Sequence, residues 1–304
     1  MKQRFKEIMQ SPAVTTPLLV IFVIVAMHFS RYALVNLSEK TNVVLAIGII
    51  QLAVLALPCM IYYLVKGRKL SSPVMFFSGR GINALFVLFA ALFFVIGMLL
   101  IKYLYFVNGG TVASLVNYYG GAGALENTGH AEIIISLIII PAVCEELFFR
   151  GIVYSEYRRY GSANAIIVSA LCFAALHFSL QNFFVYLFAG LLLGFVTAIT
   201  RSCLPSIALH LLSNTLSIYA SDAFLRVTVV KNGAYFIGFV LIILTAVTFA
   251  LMLSRVESIC YKYANDPPVE SIPPKSSENV WRVFLSPTFL LLAGVFVAVN
   301  IWLK

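Results

Sequence analysis

Charge is what this sequence has least of: only 11% of its 304 residues are Asp, Glu, Lys or Arg, against about a quarter in an ordinary soluble domain. With 61% hydrophobic residues and a mean hydropathy of +0.97, this excludes a solvated globule and implies an all-α polytopic transmembrane bundle. Paired cysteines are missing too. Cys59, Cys144, Cys172, Cys203 and Cys260 include no Cys-x-x-Cys, which argues against a disulfide framework or zinc knuckle and for buried free thiols. There is no His-Glu-x-x-His, so the usual zinc-protease signature is absent. Neither an internal repeat nor the matched broken helices of a transporter are found. The first apolar segment is longer than an ordinary signal-peptide core and lacks a clear small-x-small cleavage site, so it is expected to be retained.

What is there is a series of apolar runs punctuated by basic residues. The formal charge of +9 lies mostly between those runs, where its expected partner is the anionic face of a membrane, with membrane lipids and no nucleic acid. Segments at 14–36, 42–65, 82–107, 133–160, 163–179, 183–200, 204–220, 234–254 and 284–303 give eight to nine expected spans. Lys2, Arg4 and Lys6, then Lys66, Arg68, Lys69 and Arg80, then Arg158, Arg159 and Arg201 fall on one side, which predicts a cytoplasmic N-terminus. Arg226 and Lys231, in an external loop at 221–233, run slightly against that pattern. The chain divides into 1–132, three spans and an external loop; 133–220, a four-helix core; 221–257, an eighth span; and 258–304, a Pro-rich cytoplasmic linker and a final span. The linker, expected from Arg255 to Arg282, holds the pairs Pro267-Pro268 and Pro273-Pro274.

Against this apolar background the stretch Pro141–Arg150, reading PAVCEELFFR, stands out. Ionisable groups inside a span are costly and face a protein interior or an aqueous cavity unless they reach the interface. Expecting the polar tip 154–164 to project into the cytoplasm puts Glu145 about 8 residues, roughly 12 Å, below the interface, too deep to snorkel comfortably. If the fourth and fifth helices turn at Gly161, Glu145 and His177, equidistant from it in sequence, lie at one depth. Phe173 is one turn from His177 on the same face. His210 and Asn214, four apart on the seventh helix, fall near the same level counted from Ser202. Gly190-x-x-x-Gly194 offers a small-residue face expected to bring the sixth and seventh helices close. Glu146 and Arg150, at i and i+4, are placed to pair. A carboxylate and an imidazole at this depth could activate water while a second imidazole or an amide stabilises an oxyanion. The same residue types could equally hold a divalent metal such as zinc, with Glu145, Glu146, His177 and His210 as candidate ligands. His28 reads as a structural hydrogen-bonding residue and His130 as solvated surface.

In order and on successive helices, Glu145-Glu146-x-x-x-Arg150, Phe173-x-x-x-His177 and His210-x-x-x-Asn214 resemble the three motifs of the CPBP family of intramembrane proteases. That family, also called CAAX protease and bacteriocin-processing or Abi, includes the type II CAAX prenyl endopeptidases and is commonly labelled a metalloprotease family. The resemblance covers about 133–220. It implies peptide-bond hydrolysis within the membrane by a glutamate-activated water: Glu145 as general base, His177 orienting the water, His210 and Asn214 stabilising the oxyanion, and Glu146, Arg150 and Phe173 in support. The implied substrate is a peptide or membrane-associated protein, lipidated or not. The competing reading is a non-enzymatic immunity factor or transporter that uses the same cluster to bind a partner or ion. Compact loops point to a bacterial plasma membrane.

Overall fold

The computed structural model describes residues 12–37, 43–66, 83–108, 128–220, 234–265 and 283–302. Lys2, Arg4, Lys6, Arg68, Lys69, Arg80, Arg226, Lys231 and the paired prolines lie outside these. Among the described residues the chain is all helix, in nine successive runs without a strand. α1 is Pro12–Leu37. α2 comprises Val43–Gln51, a π-helical stretch Leu52–Ala56, and Leu57–Lys66. α3 is Ala84–Val107, capped by the Asn83 side chain, which accepts from Phe86 N at 3.1 Å. α4 runs through His130–Ile133, a π-helical Ile134–Ile139, Ile140–Phe148, a π-helical Phe149–Tyr154, Ser155–Tyr157 and a 3-10 turn Arg158–Tyr160. Then follow α5 (Ser162–Leu176), α6 (Phe183–Thr200), α7 (Cys203–Tyr219), α8 (Ala234–Asn265) and α9 (Pro287–Trp302). Val43–Leu64, Ala84–Val107, Phe183–Thr200 and Tyr235–Lys262 are long and apolar enough to cross a membrane; Val14–Ser30, Ser162–Leu176 and Pro287–Ile301 are shorter apolar helices.

Two of the three π-helical stretches end two residues before a proline, Pro58 and Pro141. Proline cannot donate to the carbonyl four residues back and its ring crowds it; a widened turn relieves the conflict without ending the helix. α2 and α4 run parallel in one register. Gly48 abuts Ser136, and Tyr63 Oη donates to Gly151 O at 3.1 Å, both at an offset of 88 residues. Gly161, with φ +106°, turns α4 back into α5; few L side chains adopt that backbone.

Three expectations are corrected. α8 continues as helix past Arg255 to Asn265, because no proline or glycine interrupts 255–265. The tip of α4 does not project freely: Tyr154, Glu156 and Tyr157 are buried, and Tyr62 Oη donates to the Glu156 carboxylate. Gly190 and Gly194 face α5, where an added Cβ would meet Ala170 Cα at 2.8 Å and Ile166 Cγ2 at 3.3 Å. α6 and α7 instead meet through hydroxyls: Thr197 Oγ1 and Ser206 Oγ lie 2.5 Å apart, and Ser206 Oγ donates to Leu193 O at 3.1 Å. Gly190→Ala therefore has to push against backbone and is expected to cost about 1–3 kcal/mol. Gly294→Ala, with nothing within 4 Å, should be neutral or gain up to about 1 kcal/mol from the better helix propensity of alanine. Thermal unfolding in one detergent compares the two; equal midpoints would contradict this packing.

Candidate active site

Glu145 and Glu146 lie on α4 between its two π-helical stretches and Arg150 lies within the second, and all three are buried in protein. Arg150 is met from three directions. Its Nη1 pairs with Glu146 Oε1 at 3.0 Å, its Nη2 donates to Gly190 O at 2.9 Å, and its Cζ stands 5.1 Å above the Phe173 ring. The bare backbone at Gly190 is what lets α6 bring a carbonyl so close. Snorkelling is thereby ruled out as the account of this charge, because the guanidinium is fully buried.

His177 was expected inside a helix running to 179, yet α5 stops at Leu176 and His177 is its C-cap, with φ −83° and ψ 2°. The last turn tightens: His177 N bonds to Ala174 O at 3.3 Å and Phe178 N to Ala175 O at 3.4 Å. That frees Phe173 O from its ordinary i+4 partner, and His177 Nδ1 takes the place at 2.8 Å. A carbonyl only accepts, so Nδ1 carries the proton and Nε2 is left with a lone pair. This Nε2 lies 3.9 Å from Glu145 Oε2. Across the following turn, Tyr186 of α6 stacks on the imidazole with centroids 3.8 Å apart and planes at 21°.

His210, on α7, joins both carboxylates. Its Nδ1 is 3.0 Å from Glu146 Oε1 and its Nε2 is 3.9 Å from Glu145 Oε2. Phe173 lies between the two imidazoles, at 4.7 Å from His177 and 5.6 Å from His210. Glu145 Oε2 is thus a buried acceptor, equidistant from two ring nitrogens and without a hydrogen-bond partner among the described residues. At 3.9 Å a direct hydrogen bond is excluded, whereas the separation is one that a bridging water can span.

The structure therefore brings Glu145, Glu146, Arg150, Phe173, His177 and His210 together. Asn214 is one turn beyond His210 on α7, half-buried, and no hydrogen bond ties it to the others. Among the described residues no group of three or more His, Cys, Asp or Glu is disposed to hold a metal ion. Glu146, one of the four candidate ligands, is already engaged by Arg150 and His210, so the four do not fit as a joint metal set. Sequence reading missed Tyr186 and the Gly190 carbonyl. Counting outward from the turn at Ser179–Asn182, the procedure that matched Glu145 with His177, sets Phe184 opposite His177 and Tyr186 two residues further on.

Residues 128–216 match the family model for type II CAAX prenyl endopeptidase Rce1-like proteins. The resemblance to the CPBP/CAAX protease family read from the three motifs holds over this segment, and it supports an intramembrane peptidase of CAAX type in general terms. With the apolar helices it also supports an integral membrane location and a peptide or membrane-protein substrate. No curated protein and no solved structure matches the chain.

Removing one member of a buried ion pair strands the other, typically at about 3–5 kcal/mol, while replacing both by apolar groups is often neutral. Arg150→Met is accordingly expected to depress the unfolding midpoint sharply. The double variant Arg150→Met/Glu146→Leu, which also takes the partner from His210 Nδ1, should recover part of the loss, and a double variant less stable than the single one would contradict the pairing.

Proposed function

We propose that this chain, with its Rce1-like segment, is an intramembrane endopeptidase that hydrolyses a peptide bond of a membrane-associated protein or peptide with a water activated by Glu145. The observation that carries this reading is the Glu145 carboxylate oxygen held 3.9 Å from Nε2 of both His177 and His210 in a buried site. Water placed there donates one hydrogen to Glu145 Oε2 and the other to the lone pair on His177 Nε2. Glu145 takes its proton as the water oxygen bonds to the carbonyl carbon. The resulting oxyanion receives hydrogen bonds from His210 Nε2 and the Asn214 amide. Since His210 Nδ1 gives its own proton to Glu146, donation from Nε2 as well requires the ring to hold both protons, a charge that the two carboxylates flank. Glu145 then passes its proton to the departing nitrogen, the C–N bond breaks, and a carboxyl group and an amine result.

The remaining assignments belong to the same proposal. The 133–220 region is the catalytic core, surrounded by spans that bring the total to eight or nine. The N-terminus and the Gly161 end of the core face the cytoplasm, as the distribution of Lys and Arg requires, in a membrane of the bacterial plasma type. The reaction is written with the chain's own side chains, Glu146 being already engaged by Arg150 and His210.

Glu145→Gln preserves the shape of the site and removes the base. It is expected to fold as wild type does and to lose hydrolysis by at least about 10²-fold, the lower end of what a positioned base contributes. Mass spectrometry of membrane and secreted peptides from cells carrying either form provides the measurement. Peptides that disappear with Glu145→Gln and with His177→Ala identify substrates. Identical peptide sets from all three would eliminate the hydrolytic reading in favour of a binding protein.

A further inference from the structure

The turn that carries His177 is strained and is held from outside the segment that matches the family. Phe178, directly after His177, has φ 49°, in the left-handed region that a bulky aromatic residue rarely occupies. Such a conformation persists only where its surroundings over-determine it, and three contacts do so here. From α9, Asn300 Oδ1 accepts a hydrogen bond from Leu180 N at 3.0 Å, while Asn300 Nδ2 donates to Phe296 O at 2.9 Å and so fixes which end of the amide faces the turn. Phe296, one turn earlier on α9, meets Phe183 with centroids 5.8 Å apart. From α1, the His28 ring stands 6.3 Å from the buried Phe178 ring. Both α1 and α9 lie outside residues 128–216.

We propose that the final helix is a positioning element for the reactive cluster: Asn300, acting through Leu180, holds the left-handed turn at Phe178 and with it the imidazole of His177. Asn300 touches no reacting atom. Its effect passes through three consecutive residues to the Nδ1–Phe173 carbonyl bond that leaves Nε2 aimed at Glu145. Asn300 is itself nearly buried in an otherwise apolar helix, where a polar amide is costly unless its hydrogen bonds are met. Leu180 N and Phe296 O meet them, so the residue is explained by the turn it secures.

The inference rests on the reading of His177 as part of the hydrolytic cluster, but its test does not require hydrolysis. The chain has four histidines, so ring-¹⁵N-labelled histidine in the full-length protein in lipid nanodiscs gives four assignable imidazoles, His177 being identified by its loss in His177→Gln. Wild type should show His177 protonated at Nδ1. Asn300→Leu, of similar size but unable to accept, should turn His177 into a tautomer mixture while His130, remote from the turn, keeps its signal. Asn300→Asp keeps an oxygen in place and should retain the wild-type His177 pattern. If Asn300→Leu cannot be recovered folded, Asn300→Ser, which shortens the acceptor out of reach, takes its place with the same expectation. Unchanged His177 signals in the Leu or Ser variant would overturn the proposal. So would a change spread over all four histidines in every variant, which would mark Asn300 as part of the general packing. Failure of Glu145→Gln to abolish hydrolysis would instead remove the proposed function and leave the tautomer result standing.

Discussion

A guanidinium that never reaches water depends on the protein for its countercharge and acceptors, and much of this bundle is arranged around supplying them to one. Arg150 is fully buried, in a setting where an isolated charge costs several kcal/mol even after relaxation. Glu146 supplies the countercharge, Gly190 O a further acceptor and Phe173 a π face. Each demand propagates. The carbonyl comes near enough only because residue 190 lacks a side chain and α6 lies hard against α5. Phe173 in turn sits between the two imidazoles. Glu146, fixed by the arginine, offers the same oxygen to His210 and thereby sets that ring's orientation. The pair's contribution to stability is modest at best; its consequence is that two histidines from different helices are held at one carboxylate.

Departures from regular α-helix are the means by which this is done. A helix that kept its ordinary hydrogen bonds to residue 177 would have used Phe173 O for the backbone, leaving the imidazole unanchored. Ending α5 one residue earlier transfers that carbonyl to Nδ1 and decides the tautomer. The π-helical stretches on either side of Glu145 and Glu146 have the same character: each widens the turn beside the site, and such wide turns concentrate where side chains are re-aimed for function.

How much of this was legible in the sequence depended on whether a feature follows from distance along a helix. Glu145 and His177 could be matched because a helical hairpin turning at Gly161 reflects sequence distance into equal depth. His210 could be placed by the same count from Ser202. The i, i+4 spacing of Glu146 and Arg150 was equally readable. Rotation about a helix axis is a different quantity, and that is where the reading went astray. Gly190 and Gly194 were assigned to the α7 side, since a small-residue spacing tells that something approaches but not from where. The C-cap at His177 was invisible for a related reason: no glycine or proline marks the end of α5, and Phe178 takes the left-handed conformation against its own preference. At the tip of α4, the expectation that 154–164 projects into the cytoplasm could not foresee the Glu156 contact, because its partner, Tyr62, is distant in sequence.

These two kinds of information divide the molecule in a way that bears on function. The residues that would perform chemistry lie within the segment matching the family and obey simple spacing. The contacts that hold them in pose come largely from elsewhere: Tyr62 and Tyr63 on α2 brace the C-terminal end of α4, and α1 and α9 close over the turn after His177. A segment of 128–216 alone would retain the cluster's residues and lose those braces. An imidazole free to rotate would then share its Nε2 direction among several orientations, only one of which faces Glu145.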